Sequence, residues 1–363
     1  DQPIGRPLAG RCDKIRGLGR DIGHRAVALV GLVETFVELG RFIVEAEALG
    51  EVGAGLQISP NGMKVFEALG MSDRIAGNAF QPEGIELRMG QSGRVVFDIP
   101  LGLSAADRWG APYLHLHRAD LVDALAAELA ERAPGSVRFD AKIASYTQDG
   151  QSVTVTLEDG THVDGSVLVG ADGIHSVVRE AMLGPDKPRF TGNVAWRAVV
   201  PVERLGDDLP PPTACAWVGK GRHAVTYRLR GGALANFVGV VEHDGWQVES
   251  WSGEGLREDA LADFAGWHPV ITNMIQKADM LNRWALFDRP ALPRWHDGRV
   301  VLLGDACHPM PPYIAQGAAA ATARASGNVG LVHAFWPSAG LRPPIALSRS
   351  RGGAILRVAR RNA

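Results

Sequence analysis

The fold of this chain is decided by the stretch Arg299-Val-Val-Leu-Leu-Gly-Asp-Ala-Cys-His-Pro-Met-Pro-Pro-Tyr-Ile-Ala-Gln-Gly-Ala318. Its first apolar residues have the length of a buried strand, which ends at Gly304 and Asp305. Ligands of α/β sheets bind at the carboxyl ends of strands, so Asp305 could accept hydrogen bonds from sugar-like hydroxyls. The Gln-Gly-Ala step at residues 316–318 then opens an Ala-rich helix, whose start would offer free N–H groups. A strand, a turn and a capping Asp without any ligand explain the same residues, so both interpretations stay open at this point.

A second stretch repeats the pattern of an apolar run that ends at a glycine and an acid. Residues 167–169 are Val-Leu-Val, and Gly-Ala-Asp-Gly follows them at residues 170–173. Gly173 permits a tight turn after Asp172, and Ser176 can cap the helix that carries Arg179. The alternative interpretation is an ordinary helix cap with a surface arginine.

The order of the remaining elements indicates the architecture. Residues 27–31 have the pattern of a strand, residues 32–39 that of a helix and residues 42–45 that of a second strand, which is the order of a parallel sheet. Residues 186–260 are rich in Trp, Val and turn glycines, as in antiparallel sheets. We therefore predict an α/β fold, in which a second, mostly antiparallel β domain is inserted into a Rossmann-like domain. The predicted Rossmann-like domain comprises residues 1–75, 105–185 and 280–363, and the predicted inserted domain comprises residues 76–104 and 186–279.

The inserted domain holds the best candidates for acid–base chemistry. Strand alternation places His223, Val225 and Tyr227 on one face, and the Arg-Gly-Gly step at residues 230–232 would turn the chain into a hairpin. A His and a Tyr on the inner face of a sheet could bind a phenol, and His223 could take up the phenolic proton. A purely structural His on a strand is the simpler alternative.

Composition argues against several other functions. The formal net charge of -2 offers no basic excess to neutralise phosphates, so a nucleic-acid binder is not expected. Cys12, Cys215 and Cys307 lie far apart without a CxxC pair, which suits a reducing cytoplasm. No apolar run reaches the roughly 18 residues of a membrane-spanning helix. His115 and His117 could share one face of a strand, but no further ligand cluster accompanies them, so we predict no metal site.

The strand-end stretches resemble motifs of a known family. Residues 299–318 resemble the GD motif of the single-component FAD-dependent aromatic hydroxylases, and residues 169–179 resemble the DG motif of the same family. Residues 51–61 are similar to the segment beside the isoalloxazine ring, and residues 117–121 are similar to the segment whose arginine reaches the flavin phosphates. The resemblance covers about residues 51–320 and is closest to the salicylate hydroxylase-like branch.

The resemblance implies an enzyme that uses FAD, NADH or NADPH, and O₂ to hydroxylate a small phenolic or related aromatic acid through a flavin C4a-hydroperoxide. It implies that the Rossmann-like domain binds FAD and that the inserted domain binds the substrate. We expect a cytoplasmic monomer or homodimer that binds neither nucleic acid nor membrane. The expected FAD contacts are Glu45, Arg118, Asp172, Arg179, Asp305, Gly317 and Ala318. The expected catalytic residues are His223, Tyr227 and Pro312, and the expected substrate contacts are His223, Tyr227 and Gln57.

The sequence departs from the family's pattern on both sides of this region. The family begins with a strand, a Gly-x-Gly-x-x-Gly loop and a helix, whereas Val30-Gly-Leu32 passes directly from the predicted strand to the predicted helix. After Ala320, the family's acidic Glu-Asp pair is missing. A flavin-poor remnant or binding protein of the same fold is therefore one alternative, and a quinone-precursor hydroxylase or epoxidase is another. His223 and Tyr227 favour a compact phenolic substrate.

Overall fold

The computed structural model describes residues 40–46, 55–243, 255–311, 313, 345–347 and 356–359. The strand and helix predicted for residues 27–39 lie outside the described residues, as do the predicted site residues Pro312, Gly317 and Ala318. Within the described ranges, no helix is long and apolar enough to cross a membrane.

The secondary structure alternates between strands and short helices. In chain order, the strands are β1 (Gly40–Ile43), β2 (Gly55–Ile58), β3 (Gly84–Met89), β4 (Val95–Pro100), β5 (Leu114–His117), β6 (Val137–Arg138), β7 (Ile143–Gln148), β8 (Val153–Leu157), β9 (His162–Gly165), β10 (Val167–Gly170), β11 (Arg189–Pro201), β12 (Ala214–Gly219), β13 (Arg222–Leu229), β14 (Leu234–Glu242), β15 (Asn282–Asp288), β16 (His296–Asp297), β17 (Val300–Leu302), β18 (Ile345–Leu347) and β19 (Leu356–Ala359). The α-helices are α1 (Pro60–Ala68), α2 (Ser72–Ala76), α3 (Gly102–Trp109), α4 (Arg118–Arg132), α5 (Val177–Leu183), α6 (Arg257–Asp263) and α7 (Pro269–Lys277).

One seven-stranded sheet carries the strand ends that the sequence marks as a ligand site. Its order is β16-β17-β10-β18-β19-β1-β6. Strand β10 is parallel to β17 and β18, and β1 is parallel to β18 and β6, whereas β19 is antiparallel to β1 and β10. Because parallel strands end at the same edge of a sheet, the carboxyl ends of β1, β10 and β17 lie along one edge.

This sheet is supported by a core that it shares with the β7-β8-β9 sheet. Every second residue of β8, namely Val153, Val155 and Leu157, is buried, which is the two-residue period of a strand with one covered face. Helix α5 adds Val178 and Met182, which are four residues apart and therefore lie on one face of the helix. The same core thus fixes α5 relative to the ends of β10 and β17.

The second large sheet has the order β15-β11-β14-β13-β12-β3-β4. Its strands are antiparallel except for β12 and β3, which run parallel. The predicted hairpin is confirmed, since β13 pairs with β14 from Arg222 and Val241 to Leu229 and Leu234. Its turn places Arg230 at φ 49° and Gly231 at φ 62°, the left-handed region that glycine occupies without strain.

The two faces of this second sheet differ in burial. The outer face carries the fully buried Trp196, Trp217 and Phe237, which pack with residues of α7 such as Ile271 and Met274. Replacing such a buried Trp with Ala typically costs about 3–5 kcal/mol of the free energy of unfolding. The inner face is less covered, because Arg197, Val199, His223 and Val225 on this face are half-buried. This half-buried part of the inner face is the candidate cleft.

The predicted α/β class is confirmed, with one largely parallel and one mostly antiparallel sheet. The predicted strand at residues 42–45 is shifted, because β1 spans Gly40–Ile43 and ends before Glu45. Helix α4 begins at Arg118, so Asp120 lies in its first turn, where an acid favours the positive end of the helix dipole. The predicted domain boundaries remain a proposal.

Candidate active site

Three acids follow the three strands whose carboxyl ends share one edge of the first sheet. Glu45 lies two residues after β1, Asp172 two residues after β10, and Asp305 three residues after β17. Glu45 is half-buried and Asp305 is exposed, whereas Asp172 is only 1% exposed. The sequence predicted the strand-end positions of Asp172 and Asp305, whereas Glu45 follows β1 instead of belonging to it. The exposure of the three acids separates them into two kinds.

Asp172 is bonded to the chain itself. Its Oδ1 accepts a hydrogen bond from the Ser176 hydroxyl (2.5 Å), and its Oδ2 accepts one from the Val178 N–H (3.1 Å). The Ser176 Oγ in turn accepts from the Arg179 N–H (2.9 Å), so Ser176 caps α5 as the sequence predicted. Burial raises the pKa of Asp172, and the hydrogen bonds from Ser176 and Val178 oppose that rise. This carboxylate holds the turn and the start of the helix together.

We expect the Asp172→Ala variant to lose about 1–3 kcal/mol of the free energy of unfolding, because a buried hydroxyl and a buried N–H would lose their acceptor. Chemical denaturation followed by circular dichroism measures the change. Asp164→Ala is the matched control, since Asp164 accepts a hydrogen bond from Thr154 at an exposed position. Equal stability of Asp172→Ala and the unsubstituted chain would contradict the capping role.

Arg179 joins the two strand-end turns. It is 4% exposed, and its guanidinium donates to the carbonyl oxygens of Ile174 (2.7 Å) and Ala306 (3.1 Å). Its Nε also lies 3.5 Å from the Asp186 carboxylate. Burial lowers the pKa of Arg179, and the charge of Asp186 opposes this effect. The alternative interpretation of a surface arginine is therefore wrong, because the side chain is buried and joins the turn after β10 to the turn after β17. The expected contact of Arg179 with FAD remains a prediction.

Asp305 and Arg118 come together from distant parts of the sequence. Gly304 has φ 62°, and residues 304–306 form a short 3-10 turn that presents Asp305 at the strand end. The carboxylate is exposed, but the surrounding protein walls still raise its pKa, while the charges of Arg118 and His308 lower it. Arg118 is the first residue of α4 and is half-buried. The site thus combines an accessible acceptor with a cation at a helix start.

His223 lies on the inner face of the second sheet, as predicted. Its side chain is half-buried, and burial lowers its pKa. The ring is 5.7 Å from the ring of Tyr313, measured between centroids. Tyr313 follows the turn that carries Asp305, so the ring contact joins the second sheet to the segment after β17. Burial also raises the pKa of Tyr313, and a hydrogen bond with Thr191 opposes this rise.

Tyr227 shares the strand face with His223 but lies deeper. It is 4% exposed, burial raises its pKa, and its ring is 4.8 Å from the ring of His115. Gly55, the first residue of β2, lies directly against it, because a Cβ at this position would overlap the Tyr227 Cε2. The Gly55 N–H also donates to the Asn236 Oδ1 of β14 (2.9 Å). Gly55, Tyr227 and Asn236 therefore join β2 closely to the second sheet.

Gln57 belongs to a buried polar cluster behind Tyr227. Its Oε1 accepts a hydrogen bond from the Tyr113 hydroxyl (2.6 Å), and it pairs across β2 and β5 with His115. Burial lowers the pKa of His115 to about 3 and raises that of Tyr113 to about 12. His115 therefore stays neutral at physiological pH. The structure places Gln57 within hydrogen-bonding contact of this cluster rather than at an open surface.

Several residues at the site were not singled out from the sequence. Tyr313 lies within residues 299–318, but no local pattern there indicates which strand it contacts. Tyr113 and Asn236 were missed because their hydrogen-bond partners, Gln57 and Gly55, lie on β2, which is distant in the sequence. Arg197 lies on the inner face of β11 and could have been found by the same alternation that identified His223. Within the described ranges, no group of three or more His, Cys, Asp or Glu residues could hold a metal ion.

Comparisons with known proteins agree with this geometry. A family model described as "FAD binding domain" matches residues 46–326. A 3-amino-4-hydroxybenzoate 2-monooxygenase of Streptomyces platensis is 36% identical over 274 residues, which are 76% of this chain and 68% of that protein. A 6-hydroxynicotinate 3-monooxygenase of Pseudomonas fluorescens is 36% identical over 311 residues, which are 85% of this chain and 79% of that protein.

Solved structures give the same result. HpxO of Klebsiella pneumoniae, complexed with FAD and uric acid, has a TM-score of 0.69 and 29% identity and covers 79% of this chain and 72% of its own. A salicylate hydroxylase substrate complex has a TM-score of 0.66 and 25% identity, with coverage of 77% and 71%. These likenesses include the arrangement of a Rossmann-like FAD domain and a substrate-binding sheet.

The exposed groups at the sheet edge fit FAD chemically. A dinucleotide with a sugar-like chain needs acceptors for its hydroxyls and positive charge for its pyrophosphate. Asp305 and Glu45 are accessible acceptors at strand ends, and Arg118 is a cation beside Asp305. Asp172 and Arg179 are already bonded inside the chain.

Proposed function

We propose that this chain, which belongs to the family of FAD-dependent aromatic-ring monooxygenases, hydroxylates a phenolic or related aromatic acid with NADH or NADPH and O₂. The observation that carries the proposal is the position of His223: a half-buried imidazole on the inner sheet face, in ring contact with the segment that carries Asp305. The substrate class follows from the relatives. They include monooxygenases of 3-amino-4-hydroxybenzoate, 6-hydroxynicotinate and 3-hydroxybenzoate, all hydroxylated aromatic acids.

The cofactor would be held by the accessible groups at the sheet edge. Asp305 would accept a hydrogen bond from a ribityl hydroxyl, Arg118 would face the pyrophosphate and Glu45 would bind the ribose. Gly317 and Ala318 complete this proposal on the strength of the motif alone. FAD supplies, when bound, the redox chemistry that takes a hydride from the nicotinamide and activates O₂.

Asp172 and Arg179 would act as positioning residues. Asp172 fixes the start of α5, and Arg179 fixes the turn at Ala306, next to Asp305. Both would therefore shape the cofactor site through the backbone rather than by direct contact.

His223 would act as the base for the substrate hydroxyl. Because burial lowers its pKa, the imidazole is neutral at physiological pH and a ring nitrogen can accept the phenolic proton. The phenolate that results has more electron density on its ring, which favours attack on an electrophilic oxygen. Tyr227 and Gln57 would hold the shape of the pocket floor, and Pro312 is kept in this proposal as a catalytic residue on the strength of the motif alone.

The test is a coupled assay on the purified chain supplied with FAD. We expect NADH or NADPH oxidation to rise when salicylate, 3-hydroxybenzoate or 6-hydroxynicotinate is added, and the product to carry one oxygen atom from ¹⁸O-labelled O₂. Hydrogen peroxide is measured in parallel, because its formation distinguishes uncoupled nicotinamide oxidation from hydroxylation of the substrate. Faster nicotinamide oxidation that yields only peroxide with every acid of the panel would contradict the proposal.

The proposal also covers the cellular compartment and the oligomeric state. Cys215 and Cys307 are both free and buried, which accords with a reducing cytoplasm. The chain would act as a monomer or a homodimer, which light scattering distinguishes by mass.

A further inference from the structure

Arg197 occupies a defined position two strands away from the strand that carries the proposed base. It lies on β11, where it pairs with Val238 of β14, and Val238 pairs with Val225 of β13. Val225 is the residue midway between His223 and Tyr227. Paired residues of neighbouring strands point to the same face of a sheet, so Arg197 lies on the inner face with both of them.

Burial gives the same orientation for Arg197. Its neighbours along β11, Trp196 and Ala198, belong to the buried core on the outer face, whereas Arg197 is half-buried. The positive charge of Arg197 also acts on the phenol of Tyr227: it lowers the pKa of that group, against the larger effect of burial, which raises it. The guanidinium therefore lies close to the same cleft as Tyr227.

The inner face thus has an apolar middle between two polar sides. On this face, Val238 of β14 separates Arg197 of β11 from His223, Val225 and Tyr227 of β13. The strands of Arg197 and His223 are two spacings apart, about 10 Å, and His223 lies two residues further along its strand, about 7 Å. The two Cα atoms are therefore about 12 Å apart, and one six-membered ring can lie between the two side chains.

The guanidinium is held in a fixed plane. It stacks on the indole of Trp284, with 5.1 Å between the Arg197 Cζ and the ring centroid. Trp284 lies on β15 and is itself 3% exposed, so it is a rigid support. A planar guanidinium presents parallel N–H donors that match the two oxygens of a carboxylate.

We propose that Arg197 binds the carboxylate of the aromatic acid, so that the ring lies over Val225 and Val238 and its hydroxyl faces His223. The inference rests on the proposed function and deepens it, because it names the group that selects acids over neutral phenols. A carboxylate bound on one side would place the hydroxyl of a single-ring substrate at the base on the other side.

The experiment compares acids with their neutral amides on the FAD-loaded chain. Dissociation constants of 3-hydroxybenzoate and 3-hydroxybenzamide are measured by the change in flavin absorption. We expect Arg197→Gln to weaken binding of the acid about ten- to hundredfold, the value of a lost charge-assisted hydrogen bond. Binding of the amide should change little. Arg197→Lys should weaken acid binding less than Arg197→Gln, because it keeps the charge but loses the planar fork.

Arg204→Gln is the matched control, because Arg204 forms an exposed ion pair with Asp279 outside the cleft. Should Arg197→Gln fail to fold, Arg197→Lys carries the comparison. An equal loss for acid and amide, or no loss for the acid, would overturn the assignment of Arg197 while leaving hydroxylation by the unsubstituted chain intact. If the unsubstituted chain neither binds nor hydroxylates an aromatic acid, the proposed function itself fails.

Discussion

Replacing His223 with Ala is expected to slow hydroxylation by about 10²- to 10⁴-fold, the usual contribution of a positioned general base. Reduction of the flavin by NADH or NADPH should keep nearly its original rate, because His223 is assigned to the substrate and not to the nicotinamide. Stopped-flow absorption separates the two half-reactions. His162→Ala is the control, since His162 lies at an exposed position on β9.

The pH dependence gives a second measurement of the same role. Burial lowers the pKa of His223, so the folded protein keeps this imidazole neutral at pH values where an ordinary histidine is already protonated. We therefore expect the acid limb of the hydroxylation rate to lie below the ordinary value of about 6.5 and to disappear in His223→Ala. A normal hydroxylation step in the variant would remove His223 from the reaction.

Replacing Asp305 with Ala is expected to weaken FAD binding about ten- to hundredfold, because a charge-assisted hydrogen bond contributes about 1.5–3 kcal/mol. Titration of the apoprotein with FAD, followed by fluorescence quenching, measures the affinity. Asp305→Asn should lie between Ala and the unsubstituted chain, since the amide keeps an acceptor but loses the charge. Asp207→Ala, in a short 3-10 helix of the second sheet's periphery, serves as the control.

The raised pKa of Asp305 also predicts how FAD affinity depends on pH. Because burial raises the pKa of Asp305, the carboxylate takes up a proton at a higher pH than an ordinary Asp, and FAD affinity should begin to fall at a correspondingly higher pH. The Asp305→Asn variant should not show this part of the pH dependence. If FAD affinity is unchanged in both variants at every pH, Asp305 does not contact the cofactor.

The sequence allowed the strand ends to be predicted because their signals are local. An apolar run that stops at Gly-Asp marks both the turn and the acid, so Asp172 and Asp305 could be placed before any sheet was assembled. Strand alternation likewise placed His223 and Tyr227 on one face. Each of these inferences needs only neighbours along the chain.

The rest depends on contacts between distant segments. The burial of Arg179 follows from the carbonyl of Ala306, which is 127 residues away. The position of Arg197 depends on its register with β14 and then β13, and the depth of Tyr227 depends on the approach of Gly55. Periodicity does not report such contacts. It identified the inner face, but not which side chains open into the cleft and which are covered by β2.

The close approach of Gly55 to Tyr227 restricts how this pocket can evolve. A methyl group at position 55 and a full aromatic ring at position 227 would occupy the same space, so the two positions are expected to be epistatic. A smaller residue at 227 would leave a void that a larger residue at 55 could fill, whereas either change alone would create a clash or a cavity. Related chains with a smaller residue in place of Tyr227 are therefore expected to have a residue larger than glycine in place of Gly55.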